Sequence, residues 1–202
     1  MSLEWFVAVA TFAVVTCFTP GPNNTMLMAS GLNFGFQRTL PHMLGVSIGF
    51  SVMVLAVAFG ISGVFLAFPQ LYDILKVISV LYLLWLAWRI ASANPKAAAD
   101  DAGSRPFTFL EAAAFQWVNP KAWIMALGAS TTYVLAGYGV ISVVAMAVIF
   151  LAAGLGSSTT WAVGGSALRQ VISNTTAVRV INVVLAALLV ASLWPIAREW
   201  IV

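Results

Sequence analysis

Lys121 is the residue whose placement most demands a chemical explanation. It lies about 14 residues beyond Phe107, where an apolar segment begins, so helical rise sets it near the middle of a hydrocarbon layer about 30 Å thick. An ionisable group there costs at least about 2.5–3.5 kcal/mol and usually marks a substrate or ion path. The competing reading is a lysine that snorkels to an interface because its span starts later. Gln116 and Asn119 supply amide donors and acceptors beside it, and Pro120 breaks the helix.

A second unusual stretch, Thr19-Pro20-Gly21-Pro22-Asn23-Asn24, lies in an apolar run with no charge between Glu4 and Arg38. Each proline removes an N–H donor and disfavours helical geometry in the residue before it. In hydrocarbon, broken backbone is tolerated only where protein buries it or it lines a watery cavity. Freed N–H groups at two half-helix N-termini favour a carboxylate, and Lys121 adds positive charge. Pro20, Gly21, Pro22, Asn23, Asn24, Gln116, Asn119, Pro120 and Lys121 are therefore the expected substrate-binding residues. Asn23 and Asn24 are equally suited to capping the resumed helix.

Other side chains point less clearly to chemistry. His42, the sole histidine, reads as a surface residue near an interface, with a proton relay as the rival. Cys17, the sole cysteine, reads as an inert buried thiol, which excludes an intrachain disulfide and a cysteine metal site. Ser157 to Thr160 can satisfy backbone groups or neighbouring helices. No catalytic set, phosphate loop or metal-ligand cluster is present, so neither an enzyme nor a cofactor is expected.

The elements that hold these residues follow from composition. Hydrophobic residues make up 62% of the 202-residue chain, charged residues 7%, and mean hydropathy is +1.01. That is too little charge to cover a water-facing surface, so the bilayer is the main solvent. The net charge of +3 comes from scattered basic residues, without the basic runs of a nucleic-acid surface. The first apolar stretch has no preceding Lys or Arg and is too long for a signal peptide, so a retained helix is expected.

Apolar periodicity and breaks predict an all-α membrane protein of six transmembrane helices, near 3–36, 41–68, 74–91, 107–134, 140–168 and 180–197. The first segment, interrupted at Pro20–Asn24, is otherwise too long for the bilayer. Pro41 is expected in the first turn of the second. Pro69 to Asp73 and Arg169 to Arg179 read as loops. One domain is expected, residues 1–202, made of a three-helix half over 1–91, a polar linker over 92–106 and a second half over 107–202. Each half opens with a proline-broken helix, and Pro120 stands about half a chain length after Pro20. Three spans per half make the halves inverted repeats, the pattern of secondary transporters with a midplane site. Gly45, Gly49, Gly154 and Gly156 are expected to let helices approach closely.

Arg38, Arg89, Lys96, Arg105, Arg169 and Arg179 share one side, against Lys76 and Arg198 on the other. The richer side is predicted to be cytoplasmic, with both termini outside the cytoplasm.

Several of these stretches resemble one known family. Thr19–Asn24, Ser30–Phe36, Pro41, Gly45–Phe50, Tyr82–Arg89 and Gln116–Trp123 are similar to the LysE/RhtB amino-acid exporters over nearly the whole chain. Thr11–Asn24, Trp85–Ala91 and Asn182–Ala186 most resemble the cysteine/O-acetylserine branch, although homoserine, threonine and leucine exporters share most of these residues. The resemblance implies a bacterial inner-membrane, secondary-active exporter of small neutral amino acids, coupled to protons and without an ATP site. The other reading of the residues is a channel or scaffold whose breaks are packing kinks. The expected partners are a small amino acid, protons and the lipid bilayer; a homo-oligomer is compatible with the sequence.

Overall fold

The computed structural model describes residues 1–61, 63–93, 105–134, 137–172 and 174–199. The described residues contain helices and no strand. Most of the linker expected over 92–106, including Lys96, lies outside them.

Helix α1 (Leu3–Phe18) starts where the Ser2 hydroxyl accepts from the Trp5 N–H at 3.3 Å. It stops before Pro20. Helix α2 (Pro22–Phe34) resumes with Pro22 in its first turn, where a missing N–H leaves no bond unmade. The two helices meet at a 54° bend. Gly35 then turns the chain with φ of 81°, a region open to glycine, and its N–H closes α2 onto the Gly31 carbonyl at 2.9 Å.

Helix α3 (Phe36–Ala56) begins earlier than the sequence suggested. Gly35 supplies the turn, so Pro41 lies inside the helix rather than in its first turn. The helix continues into a π-turn over Val57–Ile61, and α4 (Gly63–Ala67) and α5 (Gln70–Ala91) follow. In the second half, α6 (Phe109–Phe115) opens on a capping box in which Thr108 and Glu111 satisfy each other's backbone N–H. A 3-10 turn over Gln116–Val118 leads to α7 (Pro120–Tyr133), which again has proline at its first position.

Helix α8 (Gly139–Val171) is the longest, at 33 residues. Helix α9 (Thr175–Ala191) starts before the expected Val180 because Asn174 caps it, its side chain accepting from the Thr176 N–H at 2.9 Å. Arg179 is therefore helical and not in a loop. α9 ends at Ala191, and α10 (Trp194–Glu199) is a separate short helix.

Phe36–Ile61, α5 and α8 are long and apolar enough to cross a membrane, and α1 with α2 makes a fourth span if the bent pair counts as one. Their exposed residues, such as Ile48, Leu81, Trp88 and Val148, are the apolar types a lipid-facing surface takes. Trp85 and Trp88 stand near the end of α5, with Arg89 over the Trp85 ring at 5.1 Å, as in an aromatic interfacial belt.

The main core joins Trp5, Val9 and Ala13 of α1 to Phe50 and Met53 of α3, Ala126 of α7, and Met146 and Phe150 of α8. Two glycine contacts set how closely the helices approach. A methyl added to Gly31 of α2 would collide with the Ala162 carbonyl of α8, and one on Gly165 of α8 would collide with the Met28 carbonyl of α2. At Gly49 of α3 an added Cβ would lie 2.6 Å from the Ala113 Cα of α6, and Gly45 meets the Phe109 carbonyl likewise. Gly154 and Gly156 sit at ordinary contact distance, 3.6 Å from Ser47 and Phe18.

Candidate functional site

The break between α1 and α2 faces the break between the 3-10 turn and α7. A Cβ on Gly21 would lie 2.7 Å from the Lys121 Cδ, so the lysine stem runs directly across the first break. Its Nζ donates to the Thr19 carbonyl at 2.6 Å and lies 3.4 Å from the Pro20 carbonyl. These carbonyls are released by the end of α1, where the helix dipole favours a cation.

The two asparagines do not cap α2, as the sequence had allowed. Gly21 is the N-cap and no side chain bonds there. Asn24 turns back and donates to the Cys17 and Thr19 carbonyls at 2.7 and 2.9 Å, serving the end of α1. Asn23 pairs with Gln116, giving Nδ2 to Oε1 at 2.8 Å and taking Nε2 at Oδ1 at 3.2 Å. Asn119 does cap α7, accepting the Lys121 N–H at 3.2 Å. The N–H groups of Asn23 and Asn24, ahead of the first α2 bond from Thr25 to Gly21, have no acceptor within their own helix.

A cavity of about 40 Å³ lies where these groups converge. Gly21, Asn23, Asn24, Asn119 and Lys121 line it, whereas Pro20, Pro22, Gln116 and Pro120 do not. Gln116 is fully buried behind Asn23 and also donates to the Ala112 carbonyl at 2.9 Å. At about 10–15 Å³ for one water, the cavity holds about three waters and must widen to admit an amino acid.

Sequence reasoning missed part of the lining. Ser47, between Gly45 and Gly49, pairs with Ser158 at 3.1 Å, and Ser157 donates to the Cys17 carbonyl at 2.7 Å. Cys17, Val46, Phe50 and Met125 also line the cavity. The available signal was hydroxyls set among glycines in two different apolar spans. Cys17 is half-buried at the cavity and not fully enclosed. No aspartate or glutamate lines the cavity among the described residues.

His42 also departs from expectation. It is buried, 2% exposed, and packs against Phe107 with ring centroids 5.3 Å apart. Pro41 lies within α3 and not at its exposed start, which carries His42 inward with the helix. Among the described residues there is no cluster of side chains able to hold a metal ion.

Comparison with known proteins identifies the family. The family model described as LysE type translocator matches residues 14–192. The cysteine/O-acetylserine efflux proteins of Escherichia coli (strain K12) and Shigella sonnei (strain Ss046) are each 32% identical over 182 residues, covering 89% of this chain and 91% of theirs. No solved structure gives a significant match. With the family model spanning nearly every described helix and the paired breaks intact, the chain belongs to the LysE type translocators, which are membrane transporters and not enzymes.

Proposed function

We propose that this chain is a secondary-active exporter of a small neutral amino acid or amino-acid derivative, with the cavity between the two breaks as its substrate site. The observation that carries this reading is the mix of donors and acceptors at the cavity. Its donors include the Lys121 ammonium and the Asn23 and Asn24 N–H groups at the start of α2 that have no acceptor within their own helix. They suit a carboxylate. The carbonyls ending α1 and the Ser47, Ser157 and Ser158 hydroxyls offer acceptors to a substrate ammonium. Phe50 and Met125 leave apolar room for a short side chain. Without a lining carboxylate, a cationic substrate side chain would stand uncompensated.

Gly21, Asn23, Asn24, Asn119 and Lys121 act as the contact residues in this reading. Pro20, Pro22 and Pro120 shape the breaks, and Gln116 holds Asn23. The naming of the E. coli relative supports cysteine or O-acetylserine as substrate, with homoserine, threonine and leucine as competitors to be compared. Two inverted three-helix halves, 1–91 and 107–202, rock about the site and alternate its access. The coupling ion is the proton. The protein resides in a bacterial inner membrane with both termini on the non-cytoplasmic side, in keeping with the basic residues at one end.

Export from cells loaded with single amino acids, compared between wild type and Lys121→Met, tests the reading. Saturable export in the wild type that collapses with the proton gradient and falls at least about tenfold in Lys121→Met is the expected result. Undiminished export by the variant would remove Lys121 from the site, and non-saturable flux would point to a channel.

A further inference from the structure

We propose that His42 is the group that binds and releases the coupling proton, a step that rests on the proton-coupled reading above. Neither ring nitrogen of His42 has a hydrogen-bond partner among the described residues, although the side chain is buried in the helix packing. A neutral imidazole carries one donor and one acceptor, and the interior normally satisfies both. Here the fold leaves both free, which suits a group whose partner arrives only in another conformation.

His42 lies on α3 between the exposed start of the helix and a residue that lines the cavity. Val46, one helical turn later and about 6 Å along α3, lines the cavity. On its other side His42 packs on Phe107, ring centroids 5.3 Å apart, just ahead of α6, whose Glu111 side chain is 41% exposed and meets the water at that end.

The ionisable groups of the elements packed on α3 are few. α2 has none, α6 has Glu111, α7 has Lys121 and Tyr133, and α8 has Arg169 in its last turn. Lys121 faces α3 across the cavity at Val46 and Phe50, and Arg38 lies one turn earlier on α3 itself, over the Phe34 ring. Glu111 is already bound by Arg105 through two contacts of 2.6 Å, and His42 is the titratable base that α3 buries one turn from the cavity-lining Val46.

The chemistry is a single proton exchange. The lone pair of one ring nitrogen takes a proton from water on the side facing the higher proton activity, forming imidazolium. The same N–H bond breaks to water on the other side after access has switched. No other bond forms or breaks, and the proton gradient supplies the drive.

The test uses the full-length protein in liposomes, measuring gradient-driven transport and substrate counterflow without a gradient. In His42→Gln, which keeps an amide donor and acceptor but cannot titrate, gradient-driven transport should fall at least about tenfold while counterflow stays within about twofold. The residual transport should also lose its pH dependence. A variant that keeps gradient-driven transport overturns the role of His42 alone. A wild type that transports without regard to the proton gradient overturns proton coupling, and His42 with it.

If His42→Gln does not fold, diethylpyrocarbonate treatment of the wild type decides the matter, because His42 is the only histidine. Loss of gradient-driven transport, reversed by hydroxylamine, supports the assignment. Transport indifferent to the reagent while His42 is shown by mass to be modified, or a histidine never modified during turnover, overturns it.

Discussion

Asn23 and Gln116 exchange two hydrogen bonds, at 2.8 and 3.2 Å, and so join the first turn of α2 to the 3-10 turn before α7. The pair ties the break in the first half of the chain to the break in the second. Gln116 is completely buried, so its Oε1 has no water to turn to if Asn23 is removed. Asn23→Ala should destabilise the protein by about 1–3 kcal/mol, the usual result of orphaning a buried polar group. A double-mutant cycle with Gln116→Ala, read by unfolding in detergent, should return a coupling of about 0.5–3 kcal/mol, and zero coupling would deny the contact.

The crossing of α2 and α8 rests on two glycines that each face the other helix's backbone. Gly31→Ala and Gly165→Ala should each lower stability by about 1–3 kcal/mol through overpacking. Gly164→Ala is the matched control, since an added Cβ there meets nothing within 4 Å. Equal melting temperatures for Gly164→Ala and Gly165→Ala would place the crossing elsewhere.

Cys17 lines the cavity and is the only thiol, so a small neutral maleimide reports on that site without engineered cysteines. The transported amino acid, present at about ten times its dissociation constant, should slow labelling by about tenfold, and Cys17→Ser should take up no label. If no amino acid protects Cys17, the cavity is not where substrate sits.

Glu111, outside the long apolar spans, is held by Arg105 and the Thr108 N–H, which lower its pKa from 4.5 to about 2. A carboxylate with a depressed folded pKa contributes stability that is whole above its unfolded value and lost as pH falls through the folded one. The start of α6 should therefore weaken as pH drops from about 4.5 towards 2. Melting temperature against pH should show a step in that window in the wild type and a smaller one in Glu111→Gln.

Much of the fold was legible where sequence features act locally. Pro20 and Pro22 stop a helix wherever they stand, so the break after Phe18 followed directly, as did Pro120 at the head of α7. The Thr108–Glu111 capping box was equally readable, yet the apolar run beginning at Phe107 concealed it. Pro41 misled because Gly35, with its positive φ, turns the chain ahead of it, so α3 starts at Phe36. That shift also hid the burial of His42. Of the residues that line the cavity, the sequence supplied Gly21, Asn23, Asn24, Asn119 and Lys121, but not their partners. Which carbonyl Lys121 reaches, or that Asn23 meets Gln116, depends on packing between distant segments. Ser47 and Ser158 were unremarkable apart until α3 and α8 brought their hydroxyls to 3.1 Å.

The lysine lying over Gly21 takes its partner from the protein's own backbone. Its ammonium is already occupied by the Thr19 carbonyl, an uncharged stand-in held at 2.6 Å. In the proposed reading, an arriving carboxylate would not find a bare charge; it would have to displace a resident held at high effective concentration. Affinity would be discounted by that internal competitor, and release would be assisted by the backbone reclaiming its cation.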